Sequence, residues 1–268
     1  MTVPTNFNEY REVLSNLNNA ESILGLVDDI CDEMAKRFNL YGNGGRPRKA
    51  TIIETLSNFT CLACIYRRLL EKPLTNNVDA IYKECHKLAV NILVERLYWL
   101  LNKMGYNVAI STEAELDYSK ADIVIAITKL GISLKHKSDE IIVEVKTGNS
   151  LSLSQLFRYL LSGKSNSIIV WRIRKRQILV FKIESLKPLL AEFATMIYLR
   201  ANRLLSSSQI SCQHEPRRDY HPTQEELQIA IQEFGQGLLE TLPHIIAVTF
   251  QELGLQNWEA KLLDIKQT

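Results

Sequence analysis

The stretch Glu140–Lys146, EIIVEVK, limits the fold of this chain more than any other. Ile141, Ile142, Val143 and Val145 give it the near-continuous β-branched character of a strand covered on both faces. Yet it carries Glu144 and Lys146, and burying charge is costly unless the charges are paired or bind an ion. Side chains alternate along a strand, so Ile142, Glu144 and Lys146 share one face and Ile141, Val143 and Val145 the other.

A second apolar run, Asp122–Thr128, opens with a carboxylate on the face of Val124 and Ala126. If the two strands are neighbours, Asp122 lies beside Glu144, and the pair repel each other unless a cation sits between them. A hard, oxygen-seeking ion such as Mg²⁺, with Mn²⁺ as its substitute, suits such a pair together with phosphate and water. Lys146 beside it would orient a bound water or stabilise a charged transition state.

The surrounding pattern predicts helices over Tyr10–Leu17, Ala20–Phe38 and Thr51–Leu70, then an amphipathic helix over 86–104 ended by Gly105. Strands follow at Asn107–Ser111, Asp122–Thr128 and Glu140–Lys146, then a helix at Leu151–Leu161 and strands at Ser167–Ile173 and Gln177–Ile183. The order α-β-β-β-α-β-β predicts an α/β fold with a mixed sheet. Further helices are expected over 186–205, 223–240 and 243–255. Three regions result: an N-terminal helical region (1–82), a core (83–188) and a C-terminal helical region (189–268) with a linker around 206–222.

Ala121-Asp122 followed by Glu144-Val145-Lys146, in this succession of elements, resembles the PD-(D/E)XK nuclease superfamily over about residues 86–184. Ala121 stands where proline is common, which touches only turn geometry. The resemblance implies a restriction-endonuclease-like core and a Mg²⁺-dependent enzyme hydrolysing DNA phosphodiester bonds. Asp122, Glu144 and the Val145 carbonyl would be metal ligands, and Lys146 the group that positions water or stabilises charge. The layout is similar to archaeal Holliday-junction resolvases, in which a first-helix glutamate joins the metal site. Glu95 would be that residue here, although it lies opposite the core-facing stripe of its helix. Gln155 and Tyr159, one helical turn apart, match the Q-x-x-x-Y motif that follows E-x-K in RecB-like nucleases. That subfamily carries a histidine on an earlier helix, for which His86 is the candidate, on the core side of the wheel. Endonuclease action is expected. The alternatives are a RecB-like exonuclease and a non-catalytic DNA-binding or assembly protein that keeps the fold.

Arg172, Arg174, Lys175 and Arg176 surround the turn between the last two strands, where they would grip phosphates. GGRPRK (44–49) is similar to an AT-hook, with Arg46 and Arg48 as DNA contacts. The net charge of +2 hides an asymmetry: residues 223–268 carry −5 and the rest of the chain +7, a basic body suited to an anionic partner. The acidic end has an apolar stripe, Leu227, Ile231, Phe234, Leu238 and Leu242, from which a homodimer joined by its helical ends is expected. Five cysteines, an odd number in apolar contexts, point to reduced thiols. C-L-A-C (61–64) has zinc-ligand spacing but sits in a helical pattern and reads as buried small residues. No apolar run is long enough for a membrane span, and the N-terminus has no signal-peptide pattern, so an intracellular, cytoplasmic protein is expected.

Overall fold

The computed structural model describes residues 11, 15, 17, 19–58, 61–70, 79–129, 140–148, 152–163, 165–207, 223–255 and 258. Most of the expected helix Tyr10–Leu17 and of the linker 206–222 lies outside the described residues. In chain order the elements are α1 (Ala20–Phe38), α2 (Lys49–Asn58), α3 (Leu62–Leu70), α4 (Asp79–Lys103), β1 (Tyr106–Glu115), β2 (Lys120–Lys129) and β3 (Glu140–Lys146). Then come α5 (Leu153–Ser162), β4 (Ser167–Arg172), β5 (Gln177–Lys182), α6 (Ile183–Ser206) and α7 (Gln224–Glu252).

The five strands form one sheet in the order β1-β2-β3-β4-β5. Every neighbouring pair is antiparallel except β3 and β4, which run parallel with Glu144 opposite Val170 and Lys146 opposite Arg172. A parallel pair needs a crossover, and α5 supplies it. The sheet is therefore mixed, as the element order predicts.

Both sheet faces are covered. On one, Ile123, Ile125, Ile141, Val143, Val145, Ile169 and Trp171 pack with Ala89, Leu93, Leu97 and Leu101 of α4 and with Phe234, Leu238, Ile245 and Phe250 of α7. On the other, Ile142, Ile168 and Val170 meet Leu156 and Tyr159 of α5. The outer side of α5 then lies against a helical layer, because Leu160 and Leu161 join a core built from α1, α2, α3 and α6. The C-terminal stretch 189–268 thus divides, α6 joining the N-terminal helices and α7 the opposite side of the sheet.

Helix α4 begins at Asp79, seven residues before the expected start and across the expected 82/83 boundary. Three other differences from the sequence expectation have identifiable reasons. The helix expected over Thr51–Leu70 is two, α2 and α3. The end of α2 is capped by Arg200 of α6, whose guanidinium donates to the carbonyls of Leu56 (2.6 Å) and Ser57 (3.1 Å). Strand β1 runs on through Thr112–Glu115, where polar residues mask an edge strand with one wet face. The two expected C-terminal helices are one, α7, which continues through Pro243. Proline removes the bond to the carbonyl four residues earlier, and Leu239 there is 78% exposed, so water can serve that carbonyl.

Candidate active site

The site lies where the sheet ladders stop. Strand β2 pairs with β1 at Thr112↔Ile123 and again at Ala114↔Ala121, skipping the Glu113–Asp122 position. Glu113 there has φ 50°, a left-handed conformation uncommon for a residue with a side chain. The β2–β3 ladder ends at Ile123↔Val143. Asp122 is thus outside both ladders, and its carboxylate replaces the missing pairing: the Val145 amide donates to Oδ2 at 2.7 Å. The backbone of Val145, expected to be a ligand through its carbonyl, is in this way tied directly to Asp122, while its side chain lies in the core.

Glu144 is only 3% exposed. Its Oε1 accepts from Lys146 Nζ at 2.5 Å and Gln155 Nε2 at 2.6 Å, and its Oε2 accepts from the Tyr159 hydroxyl. Lys146 also donates to Gln155 Oε1 at 2.8 Å, and Gln155 Nε2 to Tyr159 at 2.9 Å. The i, i+4 spacing on α5 therefore puts an amide and a phenol on the strand's only buried acid. The Lys120 carbonyl lies 3.2 Å from the Tyr159 oxygen, joining the start of β2 to the same cluster. Burial, and then the charge of Asp122, push the Glu144 carboxyl up from its ordinary range, against the pull of Lys146 and of the hydrogen bonds from Lys146 and Tyr159. Burial and the Glu144 charge raise the Tyr159 phenol, which stays a donor.

His86 completes the group from α4, with Nε2 3.2 Å from Asp122 Oδ1. The helical wheel places it on the core side, and at this end of α4 the core side faces the start of β2, where the interior is polar. Glu95 is exposed and nine residues further along the helix, about 13 Å away on its axis. The α4 residue that reaches Asp122 is the histidine and not the glutamate. The bond to Asp122 raises the His86 pKa; burial opposes this, and the charges of Asp122 and Glu144 add to it. In the metal-free protein, protonated His86 therefore adds stability that is full below the unfolded value of about 6.5 and is lost as pH rises through the folded pKa. NMR titration of the imidazole is expected to give a midpoint above the ordinary histidine value, brought back down by Asp122→Asn. A midpoint at or below that value would exclude the contact.

The basic hairpin is at the same end of the sheet, since Arg172 is in register with Lys146 and the Ile173 amide donates to the Lys146 carbonyl at 3.1 Å. Its charges are not all free to meet a phosphate, as the sequence alone suggests. Arg174 Nε is 2.9 Å from Glu233, and Arg176 is 2.8 Å from Glu240 and 3.2 Å from Gln236, all on α7. Arg172 donates to Gln177 at 2.7 Å. Lys175 is exposed at the tip. Arg46 and Arg48 are exposed as well, but their loop is folded back on itself rather than extended. Gly42 N donates to the Arg46 carbonyl at 2.8 Å, Arg48 N to that of Leu40 at 2.9 Å, and Tyr41 bridges Pro47. The apolar stripe of α7 is largely consumed within the chain, Phe234 and Leu238 being buried on the sheet, while Ile231 is 45% exposed. Cys61 and Cys64 are half-buried. No described helix is long and apolar enough to cross a membrane.

Among the described residues no three His, Cys, Asp or Glu side chains converge so as to hold a metal by themselves. Asp122 and Glu144 are two carboxylates close enough for one to raise the pKa of the other. This donor set fits a hard divalent ion that takes its remaining ligands from backbone, water and phosphate, and it does not fit a closed structural site. Compared with protein-family models, curated proteins and solved structures, the chain gives no significant match.

Proposed function

We propose that this chain is a divalent-metal-dependent nuclease that hydrolyses DNA phosphodiester bonds, with a restriction-endonuclease-like core and endonucleolytic action. One observation carries the reading. A glutamate buried to 3% exposure is held by Lys146, Gln155 and Tyr159 beside a second carboxylate, Asp122, that sits outside both strand ladders. A purely structural Glu–Lys pair has no use for a second acid that raises its own energy.

Asp122 and Glu144, with the Val145 carbonyl, would hold Mg²⁺ or Mn²⁺. The bound ion would supply charge to a phosphate oxygen and acidity to a water. The chain's own residues do the rest. Gln155 fixes the Lys146 ammonium at 2.8 Å and so holds a positive charge next to the acids, where it can orient the attacking water and offset charge growing on phosphorus. Tyr159 and Gln155 fix the Glu144 rotamer through donors at both oxygens. His86 holds Asp122 through its other oxygen, leaving the Val145 contact in place. In the reaction the water oxygen bonds to phosphorus and the P–O bond to the leaving deoxyribose oxygen breaks. That oxygen takes up one proton to become a hydroxyl, and the second water proton stays on the new phosphomonoester or passes to solvent.

Purified protein incubated with circular, linear and branched DNA and Mn²⁺ tests this. Nicking or linearisation of the circle is expected; degradation from ends alone would favour the exonuclease alternative. DNA binding without cleavage in Mn²⁺ or Mg²⁺ would identify a non-catalytic DNA-binding protein and overturn the proposal.

The hairpin geometry adds a graded expectation. Metal-free DNA affinity should fall with salt, and Lys175→Ala should lower the log–log slope by about 0.9 on duplex or 0.7 on single strands. Arg174→Ala and Arg176→Ala should each change it less, because Glu233 and Glu240 already neutralise those guanidinium groups. Unchanged slopes in all three variants would place the DNA elsewhere.

A further inference from the structure

We infer that Tyr118 and Asp28 are positioning residues for the Asp122 end of the site, so that the N-terminal helical layer is a working part of the enzyme; the inference rests on the proposed nuclease function. Tyr118 belongs to the turn between β1 and β2 and is 3% exposed, yet it packs in the core of the helical layer and not in the sheet. Its hydroxyl donates to Asp28 Oδ1 on α1. The same oxygen takes Lys49 Nζ of α2 at 2.6 Å, and that ammonium lies 5.2 Å from the centre of the Tyr118 ring. Burial and the Asp28 bond push the phenol's pKa up, so it remains a donor at every working pH.

The anchor matters because it immediately precedes the first residues of the site. Two positions after Tyr118, the Lys120 carbonyl lies 3.2 Å from the Tyr159 oxygen that serves Glu144. Four positions after it is Asp122, at the place both ladders skip. The start of β2 is therefore held by β3 only from Ile123 onward. Before that its strand partner is the edge strand β1, through Ala114↔Ala121 and Glu115↔Lys120, and the turn joining those two strands is anchored to the helical layer at Tyr118. Asp122 itself, unpaired between Ala121 and Ile123, is tied to β3 and α4 through its carboxylate, by Val145 N–H and His86. Releasing the Tyr118 anchor lets the β1–β2 end that carries Asp122 shift against β3, to which it is not paired there, and small displacements of a metal ligand weaken the site.

Tyr118→Phe removes one hydroxyl and keeps the buried ring; Asp28→Asn weakens the same junction from the helical side. Ile52→Val serves as a control that trims the same apolar layer and leaves the polar groups of the Tyr118–Asp28–Lys49 junction in place. Mn²⁺ binding to the full-length, metal-free proteins is followed by the electron paramagnetic resonance of free Mn²⁺, independently of cleavage. The first two variants are expected to bind Mn²⁺ about tenfold more weakly and to need correspondingly more metal for half-maximal cleavage, while Ile52→Val binds as wild type. Wild-type Mn²⁺ affinity in both Tyr118→Phe and Asp28→Asn, or an equal loss in Ile52→Val, would overturn the inference and leave the nuclease reading standing. A wild-type protein that neither binds Mn²⁺ nor cuts DNA would overturn both.

Discussion

Asp122→Asn and Glu144→Gln are each expected to lower metal-dependent cleavage by on the order of 10³-fold or more, each tenfold being about 1.4 kcal/mol of transition-state stabilisation. Both substitutions remove charge with little change of shape. Asparagine at 122 keeps an oxygen for the Val145 amide, and glutamine at 144 keeps an acceptor for Lys146 or Tyr159. The choice matters, because Asp122→Ala would leave the Val145 N–H without its partner at a cost of about 1–3 kcal/mol, mixing loss of fold with loss of chemistry. Stability of the metal-free variant should move the other way for Glu144. Its folded pKa is raised, so ionising it costs stability, beginning above the unfolded value of about 4.3 and growing as pH rises through the folded pKa. Glu144→Gln should therefore match or exceed wild type in urea at pH 7 to 8, the advantage vanishing toward pH 4. Folded variants that cut DNA at the wild-type rate would remove both acids from the chemistry.

How far the site is legible in the sequence depends on how local each constraint is. Glu144 and Lys146 share a face because strands alternate, and Gln155 and Tyr159 share one because helices repeat every 3.6 residues. The pairing of β2 with β3 then brings Asp122 to them, as the order of elements suggests. His86 is harder to read. Its position on the core side of α4 resembles an ordinary buried histidine until the ladders are seen to end beside it. Glu95 carries the expected chemical type on the same helix but points to solvent, so residue identity without phase misleads. The fate of the hairpin arginines is encoded in no local pattern, because Arg174 meets an acid 59 positions away on a helix that packs against the sheet. The Tyr118–Asp28 junction spans 90 positions and is equally invisible to periodicity.

The second large effect is structural and comes from one glycine. Gly237→Ala is expected to destabilise the protein by about 1–3 kcal/mol or more, read as a lowered urea midpoint with an unchanged slope. A Cβ at Gly237 would lie 2.2 Å from the Ile173 carbonyl oxygen and 2.9 Å from its carbon, both backbone atoms that have no rotamer with which to yield. Either α7 must lift from the sheet or the hairpin must move. Lifting α7 would loosen the buried bond from Trp171 Nε1 to Thr241 Oγ1, 2.7 Å long and one turn from Gly237, and would expose the face covered by Phe234 and Leu238. Moving the hairpin would displace Ile173, whose amide holds the Lys146 carbonyl at 3.1 Å, and so reach the lysine of the site. The variant should accordingly lose cleavage at temperatures where it is still folded, whereas Gly235→Ala, two residues away with nothing within 4 Å of its Cβ, should retain both stability and activity. If Gly237→Ala unfolds at the wild-type urea concentration, α7 does not approach the hairpin this closely, and the acidic helix is not what restrains Arg174 and Arg176.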